Sequence, residues 1–446
     1  MCYFAAAMSN KRFIVIGLTD APQPFFSPEI VEIISGGRVF SGGRRHHEIV
    51  APLLPQGATW IDVTVPLEGV LERYAHLDGK TVEGGLDDSC CGGGLDAGGG
   101  GAIIVFASGD PLFFGFANTL RRRFPEAEIR VFPTCNSLQM LAHRLVMPYH
   151  DMRVVSLTGR PWPEFDRALI ERAPKIGVLT DKEHTPAAIA RRMLEYGYKE
   201  YRMYVGEHLG HPEKERVTGL TLEAAAEREF TMPNCFILSP CPESQGIWER
   251  RQYGLPDSSF ALLDGREKMI TKMPIRLLTL QALDLPHRHV LWDIGACTGS
   301  VSIEARLLFP HLHIEAFEIR PECEAIIHEN MRRHGAMGIE VHIGDFLEAP
   351  DPSLSKRGEA PDAVFIGGHG GRLKEMMARA VKAMMPGGVI VMNSVKAPVV
   401  EQMTNHRPSS RQMWDEACKE LSLKQEAPMR VAIDEYHPIE VLKGIV

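Results

Sequence analysis

The stretch HVLWDIGACTGSVSIEARLL, residues 289–308, constrains the fold of this 446-residue chain more than any other. An apolar run ends in a glycine loop, and the loop opens into a segment of helical period. A strand, tight loop and helix in succession form the repeating unit of a parallel sheet, whose strands need crossover connections. The alternation continues, with strands read at 289–295, 313–319, 339–344, 361–367 and 388–395. Helices are read at 300–309, 321–334, 372–385 and 409–422, and two late strands near 427–435 and 438–443. An amphipathic helix in REKMITKMPIRLLTLQALDL opens the series. We expect a doubly wound, Rossmann-like α/β domain over residues 266–446.

So long a chain exceeds one ordinary core. Upstream, apolar strands such as RFIVIGL (12–18) and AIIVFASGD (102–110) alternate with helical runs, which argues for a further α/β region. Thr185, Pro186 and Gly197 punctuate one of those helices as N-cap, first residue and stop. We expect a domain over 10–240 built from two subdomains, then a patternless linker over 241–265. Residues 81–101 hold nine glycines in 21 positions. Such a tract buries too little apolar surface to offset its ordering entropy, so it reads as a flexible insertion. Cys90 and Cys91 within it have no partner spacing suited to a metal.

The formal net charge of −8 argues against nucleic acid as main partner, since phosphate binding leaves a basic footprint. No run approaches the length and apolarity of a membrane span. The start, MCYFAAAMSNKRF, lacks the basic and apolar regions of a signal peptide, and Met8 is an equal candidate start. Nine cysteines without paired spacing suit reduced cytoplasmic thiols.

The loop at 293–299 discriminates between cofactors. Counted from Gly295, a dinucleotide pattern places glycines where Cys297 and Ser300 stand. Read as D-x-G-x-G-x-G it fits better, with Asp293, Gly295, Cys297 and Gly299. That is the S-adenosylmethionine loop of the common methyltransferase fold, with Ala296 and Thr298 between. Asp293 can meet the cofactor's ammonium in a charge-assisted contact. Glu318, at the end of the next strand, can accept from both ribose hydroxyls, and Asp345, at the end of the third, can meet the adenine amino group. Each carboxylate alone is more often a cap or solvated loop residue; three at successive strand ends favour a cofactor crevice. Cys297 suits the middle place if its φ stays negative, because a side chain is costly mainly at positive φ.

MITKMPIRLLTLQAL, WDIGACTGSVSIEAR and DAVFIGGHGGRLKEM resemble the decarboxylating methyltransferases of cobalamin biosynthesis. SGGRRHHEIV, FASGDPLFFGFA, PTCNSLQMLAHRL and VLTDKEHTPAAIARRML resemble the tetrapyrrole methylases. Together they resemble a family in which the two are fused, leaving only the 81–101 insert and the first residues unmatched. The resemblance implies two methylations of a reduced tetrapyrrole from S-adenosylmethionine. One, at C5, falls to the N-terminal domain. The other, at C15, falls to the C-terminal domain with loss of the ring C acetate as carbon dioxide, giving a precorrin-8 species or its cobalt form. It implies two cofactor sites, a homo-oligomer, and no metal, membrane or nucleic-acid partner.

Carried onto this chain, the resemblance gives cofactor places to Thr271, to Gly295 through Gly299, and to Glu318, Asp345 and Phe346. In the N-terminal domain it gives them to Gly109, Asp110, Pro111, Phe113, Asn136, Ser137 and Thr180. Gly367, Gly368, Gly370 and Gly371 match a substrate loop in which His369 replaces serine. Two stretches depart from the pattern: GLTDAPQPFFSPEI is longer and poorer in glycine, and EHLGHPE puts His208 and His211 where Asn and Gly are expected.

Arg44, Arg45 and His46, in SGGRRHH, read as an anion-binding loop for substrate carboxylates, because guanidinium forks grip carboxylates in pairs. One arginine alone would be an ordinary surface turn. Methyl transfer from an activated sulfonium needs orientation and desolvation more than a protein nucleophile. Decarboxylation needs an electron sink, and His369 is a candidate acid or carboxylate contact; its alternative is a loop histidine that lines the pocket. His311 and His313 lack a third ligand and suit strand entry better than metal. The competing functions are a methyltransferase of another substrate such as RNA, a nicotinamide oxidoreductase, and an N-terminal domain kept as a non-catalytic binding module.

Overall fold

The computed structural model describes residues 11–77, 101–241, 253–349, 360–395, 408–432 and 438–446. Most of the glycine-rich insert, including Cys90 and Cys91, and the first half of the expected linker lie outside them. The chain divides into two compact units. One holds the residues up to Arg160, Pro174–Ile189 and Arg202–Pro240; the other holds Pro161–Ala173, Ala190–Tyr201 and Cys241–Val446.

The first unit opens with β1 (Arg12–Leu18), α1 (Pro28–Gly36), β2 (Val39–Gly42), α2 (Arg44–Val50), β3 (Thr59–Asp62) and α3 (Glu68–His76). It continues with β4 (Ala102–Ser108), α4 (Phe116–Arg123) and β5 (Glu128–Phe132). These strands form a sheet in the order β3-β2-β4-β1-β5, parallel throughout. Both faces of β1 are covered, which is why it reads as a continuous apolar run. Phe13 and Val15 pack with Tyr74, Leu120 and Phe124 on one face. Ile14, Ile16 and Leu18 pack with Ile33, Phe40 and Phe106 on the other.

The SGGRRHH segment is not a loop: Gly43 caps α2, and both arginines and both histidines lie in its first turns. After α5 (Ser137–Arg144) comes a second sheet of β6 (Arg153–Ser156), β7 (Ile176–Leu179), β8 (Tyr201–Glu207), β9 (Arg216–Leu220) and β10 (Asn234–Pro240). Its order is β6-β7-β10-β8-β9. Helices α6 (Pro163–Ile170), α7 (Pro186–Glu195) and α8 (Leu222–Ala226) fall between these strands. Thr185 caps α7, its hydroxyl accepting from Ala188 N–H at 3.2 Å, and Gly197 follows it in the left-handed region, φ +78°.

Sequence reasoning places the stretches 161–173 and 190–201 with the N-terminal strands, but they pack in the second unit. There the Tyr198 hydroxyl donates to Gly335 O at 2.8 Å, in a buried contact. That unit continues with α9 (Met273–Ala282), β11 (Val290–Ile294), α10 (Ser300–Leu308), β12 (His313–Glu318), α11 (Glu322–His334) and β13 (Ile339–Ile343). It ends with β14 (Ala363–Ile366), α12 (Leu373–Ala383), β15 (Val389–Val395), α13 (Ser410–Glu420), β16 (Lys424–Gln425), β17 (Met429–Val431) and β18 (Ile439–Ile445). The sheet runs β13-β12-β11-β14-β15-β18-β16, with β17 beside β18. Its first five strands are parallel and β18 is antiparallel to β15. Both faces are again buried, one around Leu291 and Ile314, the other around Trp292, Phe317 and Trp414. No helix among the described residues is long and apolar enough to cross a membrane.

The described end of the linker is not loose. Glu304, buried on α10, accepts from Gly254 N–H at 3.0 Å and from Leu255 N–H at 3.0 Å. Arg276, fully buried on α9, meets the same carboxylate at 3.0 Å. Its guanidinium also donates to the carbonyls of Leu255 and Thr271 and lies 5.0 Å from the Phe260 ring centre. Asn330 holds Ala261 through both backbone groups. No hydrophobic period marks the segment because buried polar anchors hold it. Without Glu304 the buried Arg276 would keep only the partly exposed Asp257 at 3.2 Å, and the N–H groups of Gly254 and Leu255 would lose their acceptor. Glu304→Ala should therefore cost about 3–5 kcal/mol in chemical denaturation; a loss below about 1 kcal/mol would mean the anchor is not a stability element.

Candidate functional site

A cavity of about 490 Å³ opens in the first unit, in the range of small-molecule sites. It lies at the carboxyl ends of parallel strands, where loops after β1, β2, β4 and β5 converge. The sequence-selected Gly109, Phe113, Asn136, Ser137, Thr180, Arg45 and His46 all line it. Asp110, Pro111 and Arg44 do not. Asp110 instead shapes the turn, its carboxylate accepting from Leu112 N–H at 2.9 Å. Gly109 has φ +60°, and a Cβ there would meet Asn136 Cα at 3.0 Å, so glycine lets the two loops touch. Asn136 caps α5 in a reciprocal pair with Gln139. The Thr180 hydroxyl sits 2.6 Å from Asn234 O and 2.7 Å from Asn234 Oδ1.

Sequence reasoning missed several lining residues, among them Asp20, Ser108, Met140, Leu209 and Asn234. For Asp20 a signal was present: the two stretches that depart from the family pattern meet there. Asp20, from the long first loop, binds Arg45 Nη1 at 3.1 Å through one oxygen and His208 Nδ1 at 3.1 Å through the other.

These contacts correct the anion-loop reading. Arg44 is exposed and pairs with Glu48, while Arg45 is already neutralised by Asp20. His46 is not a cation: burial, then the neighbouring Arg45 charge, pushes its pKa down to about 4. Its Nδ1 accepts from Gly43 N–H at 3.2 Å, so Nε2 carries the proton and faces Ser108 Oγ at 3.0 Å. Arg45 Nη2 donates to the same hydroxyl at 2.9 Å.

In the second unit the glycine loop follows β11 and Gly299 caps α10. Gly295 has φ +80°, and a Cβ on it would lie 2.8 Å from Gly368 N. The 295–299 and 367–371 loops, selected separately from sequence, therefore touch. Asp293 is buried beneath them, and Ser302 donates to its Oδ2 from hydroxyl and backbone N–H at 2.6 and 3.2 Å. Its Oδ1 is buried without a hydrogen-bond partner. Burial pushes the carboxyl up to about 6 against those two bonds, so it is still mainly ionised at neutral pH.

Cys297 departs from its expected geometry. Its φ is +51°, the left-handed region that disfavours a side chain, and its N–H donates to Glu318 Oε2 at 2.8 Å. Glu318 also accepts from Arg320 N–H at 3.0 Å, Nε at 2.8 Å and Nη2 at 3.1 Å. Burial would raise this carboxyl, but the Arg320 and Cys297 bonds hold it below its ordinary value. These four donors take up the acceptor sites of a carboxylate. Both oxygens are thus occupied.

Asp345 pairs with Arg372 at 2.7 Å and accepts from Leu347 N–H at 3.0 Å; those two bonds lower its carboxyl. Phe346 is buried in an aromatic cluster with Phe317 and Trp292. Thr271 precedes α9, its carbonyl held by Arg276. His369 accepts from Gly371 N–H on Nδ1 at 3.1 Å, which leaves the proton on Nε2, 3.0 Å from Ser410 Oγ. Burial lowers its pKa, so at neutral pH it is a neutral hydrogen-bond donor rather than a ready acid.

Two α/β units, each with glycine loops at the carboxyl ends of parallel strands, define a fused enzyme of methyltransferase class. Residues 27–226 match the family described as Tetrapyrrole (Corrin/Porphyrin) Methylases, and residues 264–410 match the one described as Precorrin methyltransferase domain. A precorrin-6Y C(5,15)-methyltransferase [decarboxylating] from Sinorhizobium sp is 30% identical over 90% of this chain and 88% of its own. From Salmonella typhimurium, a cobalt-precorrin-6B C(15)-methyltransferase (decarboxylating) is 40% identical over 30% of this chain and 66% of its own. A cobalt-precorrin-7 C(5)-methyltransferase from the same organism is 26% identical over 47% of this chain and 90% of its own. The chain belongs to the decarboxylating precorrin-6Y C(5,15)-methyltransferase family.

Two outcomes follow from these geometries. Cys297→Gly removes a left-handed strain of about 1 kcal/mol and should leave denaturant stability equal or higher, with cofactor affinity within about threefold. A clear loss of stability would show that the thiol's packing outweighs the strain. For His46, the unfolded chain takes up a proton near pH 6.5 and the folded chain only near 4. Its contribution to stability is therefore complete above 6.5 and declines as pH falls toward 4. His46→Gln should flatten that part of the stability profile; an unchanged slope would assign it to other groups.

Proposed function

We propose that the chain methylates a precorrin-6Y-type tetrapyrrole at C5 and C15 and releases the ring C acetate as carbon dioxide. In this reading the region 10–240 performs the C5 step, 241–265 joins the domains, and 266–446 performs the C15 step and the decarboxylation. Each domain holds one S-adenosylmethionine, and the product is a precorrin-8 species. The observation that carries the reading is the unpartnered Asp293 Oδ1 beneath a loop whose Gly295 keeps the backbone clear of a side chain. A buried carboxylate oxygen without a donor is costly, and an ammonium group would satisfy it. Bound S-adenosylmethionine supplies the electrophilic methyl group.

In the C-terminal site Asp293 orients the cofactor's amino-acid end, and Thr271 with residues 296–298 lines its path. Glu318 takes the ribose once Arg320 has turned away. Asp345 borders the adenine side, and the buried Phe346 supports that wall from within. Gly367, Gly368 and Gly370 leave room for the macrocycle, and a substrate carboxylate takes the neutral Nε2–H of His369 in place of Ser410 Oγ. In the N-terminal site Gly109 lines the cavity and Asp110 and Pro111 shape the turn that follows it, with Phe113, Asn136, Ser137 and Thr180 around the cofactor. Arg45 and Asp20 border the reacting face. The relatives are named as precorrin and cobalt-precorrin methyltransferases, which supports a precorrin-type macrocycle as substrate. The same reading has the chain work as a cytoplasmic homo-oligomer.

The full chain incubated with S-adenosylmethionine and a precorrin-6-type substrate should give a product carrying two added methyl groups and lacking one carbon dioxide. Glu318→Ala should suppress the decarboxylating methylation while the other continues, and His369→Ala should lower the carbon dioxide released per methyl transferred. A wild-type chain that consumes no cofactor with this substrate, as read by mass, would refute the assignment.

A further inference from the structure

We propose that the ledge formed by Leu112, Phe114, Asn118, Arg121, Arg122 and Arg160 beside the N-terminal cavity seats the substrate, gripping the carboxylates at the rim of its macrocycle. The inference rests on the proposed function and adds which residues of this chain recognise the tetrapyrrole.

The ledge is built from separate elements. Leu112 and Phe114 come from the turn before α4, Asn118, Arg121 and Arg122 from α4, and Arg160 from the turn after β6. Phe113 and Phe114 line both this ledge and the cavity, so the two are continuous. A ligand lying on the ledge therefore faces whatever the cavity holds, the arrangement that transfer between two bound molecules requires.

Its chemistry is selective. Phe114 adopts φ +53°, a conformation unfavourable for an aromatic residue, and its ring is 45% exposed. Leu112 beside it is 52% exposed. Two apolar side chains presented at a cavity mouth suit a broad, flat, apolar ligand. Arg160, an exposed residue, stands over the Phe114 ring at 4.8 Å. Arg122 Nε touches only the Asn118 carbonyl, at 3.3 Å, and Asn118 in turn donates to Leu112 O at 2.7 Å, which fixes the turn. Arg121, Arg122 and Arg160 have no carboxylate partner among the described residues, whereas Arg44 and Arg45 are bound to Glu48 and Asp20. Three free guanidinium forks around an apolar shelf fit a flat macrocycle fringed with acetate and propionate groups. The carboxylate recognition expected at residues 44–46 is thereby moved to α4 and the turn after β6.

The test uses the full chain, so that the decarboxylating methylation serves as an internal control. In the double variant Arg121→Glu, Arg122→Glu the KM for macrocycle in the C5 methylation should rise at least roughly tenfold. Affinity for S-adenosylhomocysteine and the decarboxylating step should stay within about twofold. Lysine at both positions should restore most of the loss, and Arg160→Ala should give an intermediate KM. An unchanged KM in the double glutamate variant, or a lysine variant as impaired as the glutamate one, overturns the proposal. If the wild-type chain transfers no methyl group to the macrocycle, the functional reading fails instead. The ledge is then judged by fluorescence titration with uroporphyrin. Binding by wild type that the glutamate pair abolishes supports the ledge; absent binding, or equal binding by both, overturns it.

Discussion

The C-terminal site depends on one close approach, that of the Gly295 and Gly368 backbones. β11 lies between β12 and β14, so the loops leaving the carboxyl ends of all three converge. Gly295 and Ala296 donate to Phe317 O, and Gly367 donates to Ile294 O, which extends the sheet pairing into the loops. With the backbones fixed so near, a side chain at position 295 has no room. Asp293 beneath the loops and Glu318 at their side are consequently held where a ligand entering the crevice must pass.

Among the buried carboxylates of the second unit, Glu304, Glu318 and Asp293 are satisfied to different degrees. Glu304 is saturated by two backbone N–H groups and Arg276 and serves as an anchor. Glu318 is saturated by four donors, of which two come from the partly exposed Arg320 side chain. Asp293 is half satisfied. Because an uncompensated buried charge is expensive, such an oxygen persists only where something else supplies the missing donor for part of the protein's working cycle. The ordering from Glu304 through Glu318 to Asp293 thus runs from a saturated anchor to an oxygen left open for the ligand contact proposed above.

Much of this was legible in the sequence where one rule governed. The apolar runs at 12–18 and 289–295 predicted strands buried on both faces, and β1 and β11 are such strands. Thr185, Pro186 and Gly197 bounded α7 correctly because caps act locally. The glycine loops were legible because close backbone approach leaves a mark in the residue type. Legibility ended where side chains chose partners across the fold. Nothing local tells that Asp20 will capture Arg45, that Arg320 will fold back on Glu318, or that Glu304 will collect the backbone at 254–255. Cys297 shows the same boundary within the backbone: the sequence rule made negative φ the condition for a cysteine there, but its N–H donates to Glu318 at the turn into α10 and its φ is +51°.

Charge in the first unit is sorted by depth, and this sorting bears on how one site could take two ligands of opposite sign. Inside the cavity Arg45 is cancelled by Asp20, and His46 is kept neutral by burial, so the wall offers little positive field. At the mouth, Arg121, Arg122 and Arg160 stand without carboxylate partners. In the proposed arrangement a cationic sulfonium in the cavity would meet no free guanidinium, while a polycarboxylate at the mouth would meet three arginines. A free Arg45, as the sequence motif implied, would have drawn carboxylates to the depth proposed for the cofactor. Its contact with Asp20, made by a stretch that departs from the family's pattern, works against that.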